Sequence, residues 1–118
     1  MPDYVVMFPA DDEQGWRDGS DAEHQATYDT DGEFAALLEA RGGSITGGAG
    51  LADSRGARTL WRGDGAEPLV TEGPYAESVE QLSGFFLVTC PHLDTLVECA
   101  RMLTRAHPVV EIRPVEAD

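Results

Sequence analysis

The sequence predicts a single α+β domain, spanning residues 1–118, whose main elements follow the order β-α-β-β-α-β. Two observations support this prediction. Apolar runs of strand length lie near both ends of the chain, at residues 4–8, 84–90 and 109–115, and segments with helical spacing separate them. A chain of 118 residues also has room for one domain only, which buries roughly two-thirds of the surface that the unfolded chain exposes.

The first half of the chain predicts a strand, a loop and a long helix. YVVMF at residues 4–8 is a compact run rich in β-branched residues, typical of a central strand. The polar, glycine-punctuated residues 10–21 predict a surface loop with Trp16 as its one large apolar side chain. A helix is expected from residue 20 or 21 to residue 41, because capping residues precede it and Gly42-Gly43 follow it.

A glycine-rich strand, a hairpin and a core strand are expected next. In residues 44–51, SITGGAGL, the missing side chains indicate a bulge or a close approach by another backbone or a ligand. RTLWR at residues 58–62 alternates as a half-buried strand, and Asp64-Gly65 predict a hairpin turn that returns through residues 69–71. GFFLVTC at residues 84–90 is the clearest buried strand.

An amphipathic helix and a final strand complete the prediction. Residues 93–106 place apolar side chains on one face, His107-Pro108 end the helix, and residues 109–115 alternate as a strand. Elements in this order fold most simply into an antiparallel sheet with both main helices on one face, the ferredoxin-like arrangement. Because the other face carries apolar residues that need cover, we expect a homodimer.

The composition narrows the classes of partner. Acidic residues outnumber basic ones 22 to 8, the net charge is −14, and every basic residue is an arginine. This charge repels phosphate backbones, so direct nucleic-acid binding is not expected. No apolar run has the length of a membrane span, and the N-terminus lacks the basic start and apolar core of a signal peptide, so we expect a cytoplasmic protein without membrane contact.

Neither a metal nor a cofactor is expected. Cys90 and Cys99 lack ligand spacing and are interpreted as buried free thiols. His92 and His107 flank the last helix and are interpreted as boundary residues. The glycines at 47–50 lack the Lys-Ser/Thr ending and the strand-turn-helix context of a phosphate loop.

Residues 71–88, TEGPYAESVEQLSGFFLV, resemble the signature of the YCII-related family, in particular its DGPF branch, D-G-P-F-A-E-x-K-E-x-L-G-G-F. The positions that agree are Gly73, Pro74, Ala76, Glu77, Glu80, Leu82, Gly84 and Phe85. The resemblance covers nearly the whole chain and implies a dimeric α/β barrel, in which two four-stranded sheets face each other and enclose a pocket. Members of this branch commonly lack an assigned reaction, and many lie near, or are joined to, regulators of transcription initiation.

The chain also departs from the family pattern. The substituted signature positions are Glu72 for Asp, Tyr75 for Phe, Val79 for Lys and Ser83 for one Gly. Some members of the wider family resemble acid-base enzymes that pair an Asp with a His on the first helix, about three turns before its closing glycine. About 11 residues before Gly42 the chain has Asp31 instead, so the resemblance does not supply this His.

The candidate catalytic residues are Glu72, Tyr75, His24 and Asp31. In one interpretation, Glu72 and Tyr75 place a carboxylate and a phenol at the rim of a pocket, where they could transfer protons. In the other, residues 72–75 form a tight turn, and Tyr75 serves only as a packing residue. His24 and Asp31 share one face with Tyr28 if the segment that contains them is one continuous helix; alternatively, His24 is an ordinary surface residue near the helix start.

The candidate ligand-binding residues are Tyr28, Gly48, Glu77 and Arg113. Gly48 would allow a close approach by a ligand. Glu77 either lies in solvent or caps backbone amides of its loop. Arg113 either pairs with Glu111 or holds a substrate carboxylate.

Two functions follow from these observations. The first is a non-catalytic dimeric module that binds a small ligand or another protein, with a link to transcription regulation that the resemblance implies. The second is a cofactor-free acid-base enzyme, a lyase or an isomerase, acting on a small organic molecule. We favour the first, because the first helix has Asp31 and not a histidine at the position where the family's histidine would lie.

Overall fold

The computed structural model describes residues 1–10, 12–75 and 81–117. The elements in chain order are β1 (Asp3–Ala10), α1 (Glu13–Asp18), α2 (Asp21–Ala40), β2 (Ser44–Gly50), β3 (Arg58–Trp61), β4 (Leu69–Glu72), β5 (Gln81–Thr89), α3 (Leu93–Ala100) and β6 (Glu111–Pro114). Two short 3-10 helices lie at Ser54–Gly56 and Arg101–Arg105. The chain is therefore an α+β protein, as the sequence predicts.

Four strands form one antiparallel sheet in the order β2-β5-β1-β6. The two central strands, β1 and β5, are the two most apolar runs of the sequence. Helix α2 connects β1 to β2 across β5, and α3 connects β5 to β6 across β1. Strands β3 and β4 pair only with each other, as a separate two-stranded hairpin.

The hydrophobic core lies between one face of the main sheet and helices α2 and α3. Because strand side chains alternate, the same face of β1 carries Tyr4, Val6 and Phe8, all buried. The other large core side chains that are fully buried are Phe34, Leu38, Val88, Leu96 and Leu103. Cys90 and Cys99 complete this core as free thiols, which confirms their predicted state.

The structure corrects three predicted boundaries. The expected loop at residues 10–21 contains α1, because the Asp12 carboxylate accepts the Gly15 N–H at 2.8 Å and caps a helical turn. Helix α2 continues through Gly32 without a break. The last helix is α-helical only to Ala100 and ends as a 3-10 turn, and β6 begins at Glu111.

Strand β2 contains the bulge that its glycines predict. Its register against β5 shifts between Ile45 and Gly47, and Gly48 has a φ of 143°. A Cβ atom on Gly48 would lie 2.4 Å from the carbonyl oxygen of Phe85. The close approach is therefore made by the backbone of β5, and only glycine fits this position without strain.

The hairpin β3–β4 agrees with the prediction and is largely exposed. The Trp61 indole N–H donates to Thr71 Oγ1 at 2.9 Å, and the Gly73 N–H closes the base by donating to Ala57 O at 2.8 Å. The exposed fractions of its apolar side chains are 64% for Leu60, 63% for Leu69 and 61% for Val70. The hairpin thus presents apolar surface to solvent.

The sheet face opposite the helices is apolar at its centre. Val5 lies opposite Leu87 and Met7 opposite Phe85 in the β1–β5 register, on the face that the core does not use. Leu87 is 39% exposed, and the other three are partly buried. Among the described residues, every helix is too short or too polar to traverse a lipid bilayer.

Candidate functional site

A cavity of about 760 Å³ opens at one end of the main sheet, where β1 and β2 end and β5 begins. Helix α1 and the first half of α2 form one side of it, and residues 106–108, just after the last 3-10 helix, contribute another. It brings together three of the predicted residues, His24, Tyr28 and Asp31, which α2 places on one helical face.

Asp31 and His107 form a hydrogen-bonded pair in the cavity wall. Asp31 Oδ1 lies 2.9 Å from His107 Nε2, and the two side chains are only 22% and 15% exposed. The backbone N–H of His107 donates to Leu103 O at 2.9 Å, which fixes the residue at the end of the last helix. The ring of Phe8 stacks on the imidazole with a centroid distance of 3.9 Å and an interplanar angle of 14°.

This pair has the arrangement of a general acid-base dyad. An ionised carboxylate only accepts hydrogen bonds, so His107 Nε2 carries the proton that Asp31 accepts. The neutral imidazole then has its free lone pair on Nδ1. The carboxylate holds this tautomer and would stabilise the imidazolium formed when Nδ1 takes up a proton.

His24, Trp16 and Tyr28 form an aromatic cluster that lines the same cavity. The Nε2 atom of His24 lies 2.7 Å from the Trp16 carbonyl oxygen, to which it donates, and the two rings lie 4.0 Å apart between centroids. Tyr28 stands at 77° to the indole, with centroids 6.1 Å apart. His24 therefore contacts α1 and does not pair with Asp31.

Helix α1 is held against the segment that follows β2. The Ser54 hydroxyl donates to Glu13 Oε1 and the Ser54 N–H to Glu13 Oε2, the latter at 2.7 Å. Arg17 forms an ion pair with Asp53. The hydroxyl of Ser54, and then its amide, hold the pKa of Glu13 below its usual value. These contacts keep α1 in place as a wall of the cavity.

Glu72 and Tyr75 lie outside the residues that line this cavity. Glu72 is exposed at the end of β4, and Tyr75, 75% exposed, contacts Trp61 with ring centroids 5.2 Å apart. The structure does not bring them together with His24 or Asp31, because the hairpin that positions them forms its own sheet. The φ of 95° at Gly73 fits the alternative of a tight turn, and a catalytic role for Glu72 and Tyr75 stays a prediction.

Two of the other predicted ligand contacts, Gly48 and Arg113, lie outside the lining of the cavity. Gly48 is outside its lining, although Ala49 and Gly50, next to it, belong to the lining. Arg113 Nε lies 3.9 Å from Glu111 Oε2 on β6, as the ion-pair alternative predicts. Glu77 falls among residues 76–80, which lie outside the described residues, so its role stays a prediction.

His107 is the residue that the sequence interpretation missed. The sequence marks it only as the residue that ends the last helix, which is true of many polar residues before a proline. It lies 76 positions from Asp31, and only the packing of the last 3-10 helix against α2 brings them together. Within the described part of the chain, no group of three or more His, Cys, Asp or Glu side chains has a geometry that could hold a metal ion.

No family model matches the chain. A segment of 70 residues is 41% identical to an uncharacterized protein of Rhizobium meliloti (strain 1021). The match covers 57% of this chain and 56% of the Rhizobium protein, so it spans little more than half the length of either. This similarity identifies a relative, and it leaves the resemblance to the YCII-related family as a prediction.

Proposed function

We propose that the protein is a dimeric domain of the YCII-related, DGPF type that binds a small organic molecule in the cavity at the end of its sheet. One observation carries the proposal: Trp16, Asp31 and His107, which are far apart in sequence, converge on a cavity of about 760 Å³. Sites for small molecules typically have volumes of about 300–1,000 Å³, mostly apolar walls and a few convergent polar groups.

The strand order supports the ferredoxin-like part of the proposal. A β-α-β-β-α-β unit of that kind has an antiparallel sheet in which each helix connects two strands on either side of a third. The order β2-β5-β1-β6 has this property for both α2 and α3. The hairpin β3–β4 is then an addition between the second and third strands of the unit.

The open face of the main sheet supports the dimer. Val5, Met7, Phe85 and Leu87 form an apolar centre that this chain leaves uncovered. A second copy would bury these side chains, and full burial of one large apolar side chain contributes roughly 1.5–3 kcal/mol. The association with regulators of transcription initiation rests on the resemblance alone.

Acid-base catalysis is the second candidate function, and the Asp31–His107 pair favours it. Asp31 occupies the position on the first helix where the resemblance would place a histidine, and His107, which follows the last 3-10 helix, supplies an imidazole hydrogen-bonded to it. The two groups of a dyad would then be present with their positions exchanged. Proton transfer by His107 Nδ1 fits a lyase or isomerase that uses no cofactor.

A thermal-shift screen of a metabolite library tests ligand binding, because a compound that binds only the folded state raises the melting temperature with its concentration. Each hit is then followed through the two indole N–H signals of the chain in ¹⁵N NMR spectra. A ligand of the cavity is expected to shift the signal of Trp16 and leave that of Trp61, on the hairpin, unchanged. Hits that shift only Trp61 would contradict the proposed site.

The variant His107→Gln separates binding from catalysis. Gln keeps an amide that can donate to Asp31 but has no group that exchanges protons near neutral pH. If the protein is a binding module, the variant is expected to retain the affinity for a hit within a few-fold. If the protein is an acid-base enzyme, turnover of the hit is expected to be lost while binding persists.

A further inference from the structure

We propose that the ligand of the cavity is an organic cation, an amine or quaternary ammonium group carried on an aromatic or apolar scaffold. This inference assumes one part of the proposed function, namely that the cavity binds a small molecule. It names the chemical class of that molecule from the charges and rings that line the cavity.

Carboxylates dominate the charged groups of the lining. Those that the structure places there are Asp12, Glu13, Glu23, Asp31 and Asp53. Arg17 is the only arginine among the described lining residues; it forms an ion pair with Asp53, which also pairs with Arg55 just outside the lining, so these two positive charges face five carboxylates. The cavity therefore has an excess of negative charge.

The remaining carboxylates bind neutral donors, which satisfy their hydrogen bonds without cancelling their charge. Glu13 accepts from Ser54, Asp12 accepts from a backbone N–H, and Glu23 accepts from the Ser20 hydroxyl at 3.3 Å. Asp31 accepts from His107, which is charged only when protonated. The net charge of −14 adds to this local field, so the cavity attracts cations and repels carboxylate or phosphate ligands.

Two exposed aromatic rings provide a second, independent indication. Trp16 and Tyr28 both line the cavity and are 45% and 56% exposed; the two rings meet edge to face, and His24 stacks on one face of the indole. A cation within about 6 Å of the centroid of an exposed aromatic ring is attracted by its electrons, and proteins recognise ammonium groups through such rings. The Glu23 carboxylate lies close to this aromatic cluster. Its Oε2 atom and the Nε2 atom of His24 both approach Gly19, at 3.4 Å and 3.1 Å from the position that a Cβ atom on this glycine would occupy.

The apolar lining accounts for the scaffold of the ligand. Phe8 and Phe86, whose side chains lie on the helix-covered face of the sheet, line the cavity where the sheet ends. A molecule with its ammonium group against the exposed side of Trp16 or Tyr28 would place its apolar part against these two rings. The expected ligand is therefore amphipathic, with the positive charge at one end.

The test uses three probes that share a phenol ring and differ in charge: tyramine, 4-ethylphenol and 3-(4-hydroxyphenyl)propionate. Each is titrated into the ¹⁵N-labelled protein at pH 7 while the two indole N–H signals are followed. Tyramine is expected to shift the Trp16 signal, to leave the Trp61 signal unchanged and to bind roughly tenfold more tightly than the neutral probe. The anionic probe is expected to bind most weakly, and added salt is expected to weaken the binding of tyramine.

Matched variants assign the binding to these groups. Glu23→Gln removes one charge and keeps an acceptor for Ser20, and Trp16→Leu removes one ring; each is expected to weaken tyramine binding roughly three- to tenfold. Because Trp16→Leu also removes the reporting indole signal, binding to this variant is followed through the backbone N–H signals that tyramine shifts in the wild-type protein. Glu39→Gln makes the same charge change on α2 outside the cavity and is expected to leave the affinity unchanged. The thermal midpoint of each variant shows that it is folded; for Trp16→Leu, 4-ethylphenol binding reports whether the cavity persists.

Each other outcome overturns the inference. Equal binding of tyramine and 4-ethylphenol, or tighter binding of the propionate, would show that the cavity does not select a cation, while the proposed small-molecule site would stand. If none of the three probes shifts the Trp16 signal, the cation proposal fails. The proposed site fails with it only if no compound of the metabolite library shifts that signal.

Discussion

The contact between Glu13 and Ser54 offers a sharp test of how the cavity wall is held. Ser54→Ala removes the hydroxyl that donates to Glu13 Oε1 and leaves the backbone N–H bond to Oε2 intact. A hydrogen bond to a charged group contributes about 1.5–3 kcal/mol. Because the contact is half-buried, we expect the free energy of unfolding to fall by about 1.5 kcal/mol at pH 7.

The pH dependence distinguishes this contact from a simple packing effect. The pKa of Glu13 is lowered in the folded state, so the stabilisation is present above the unfolded pKa of about 4.3 and is lost as the pH falls through the lower, folded-state value. The difference between the wild-type protein and Ser54→Ala should therefore be largest near pH 7. It should shrink as the solution is made more acidic, because the carboxyl group becomes protonated as the pH falls through its lowered folded-state pKa.

Urea unfolding followed by tryptophan fluorescence measures both effects, with Ser54→Thr as the control that keeps a hydroxyl. A double-mutant cycle with Glu13→Ala isolates the coupling between the two residues. A Ser54→Ala variant as stable as the wild-type protein at pH 7 would refute this reasoning. An equal loss of stability at pH 7 and in acid, where the carboxyl group is protonated, would refute the role of the charge.

Three further predictions follow from the fold. Gly48→Ala is expected to lower the free energy of unfolding, measured in urea, by about 2 kcal/mol or more, because the φ of 143° and the Phe85 carbonyl leave no room for a Cβ atom. Gly50→Ala is the control: Gly50 has open space around it, so the change should be less than about 0.5 kcal/mol. Leu87→Glu places a charge in the proposed dimer interface and should yield monomers in sedimentation velocity, whereas Val97→Glu, at a similarly exposed position on α3, should remain dimeric. If Leu87→Glu is also dimeric, the proposed interface is wrong. Burial raises the pKa of the Cys99 thiol, so little reactive thiolate is present and a reagent reaches it only after local or global unfolding. A thiol reagent at pH 8 should therefore modify Cys99 at the rate of that unfolding, and rapid labelling of the folded chain would contradict the burial.

The placement of the site residues shows where sequence reasoning succeeds and where it stops. His24, Tyr28 and Asp31 share a face of α2 because helical geometry brings residues four and seven positions apart into line. The partner of Asp31 lies at the far end of the chain, and no local rule relates the two. Glu72 and Tyr75 lie within the most specific motif of the sequence, at positions that depart from the family pattern, and the structure places both outside the cavity lining.

The sequence by itself determined the features that depend on near neighbours along the chain. The apolar runs of β1 and β5, the capping residue Ser20, the glycine bulge in β2 and the turn of the β3–β4 hairpin all follow from backbone geometry and side-chain periodicity. Only the tertiary structure supplied the contacts of Glu13 and Arg17 with the segment after β2 that hold α1 in place where a loop was expected. The tertiary structure also decided the pairing of His107 with Asp31. A contact between residues so far apart in the chain depends on how the helices pack on the sheet, and no short stretch of sequence encodes that packing.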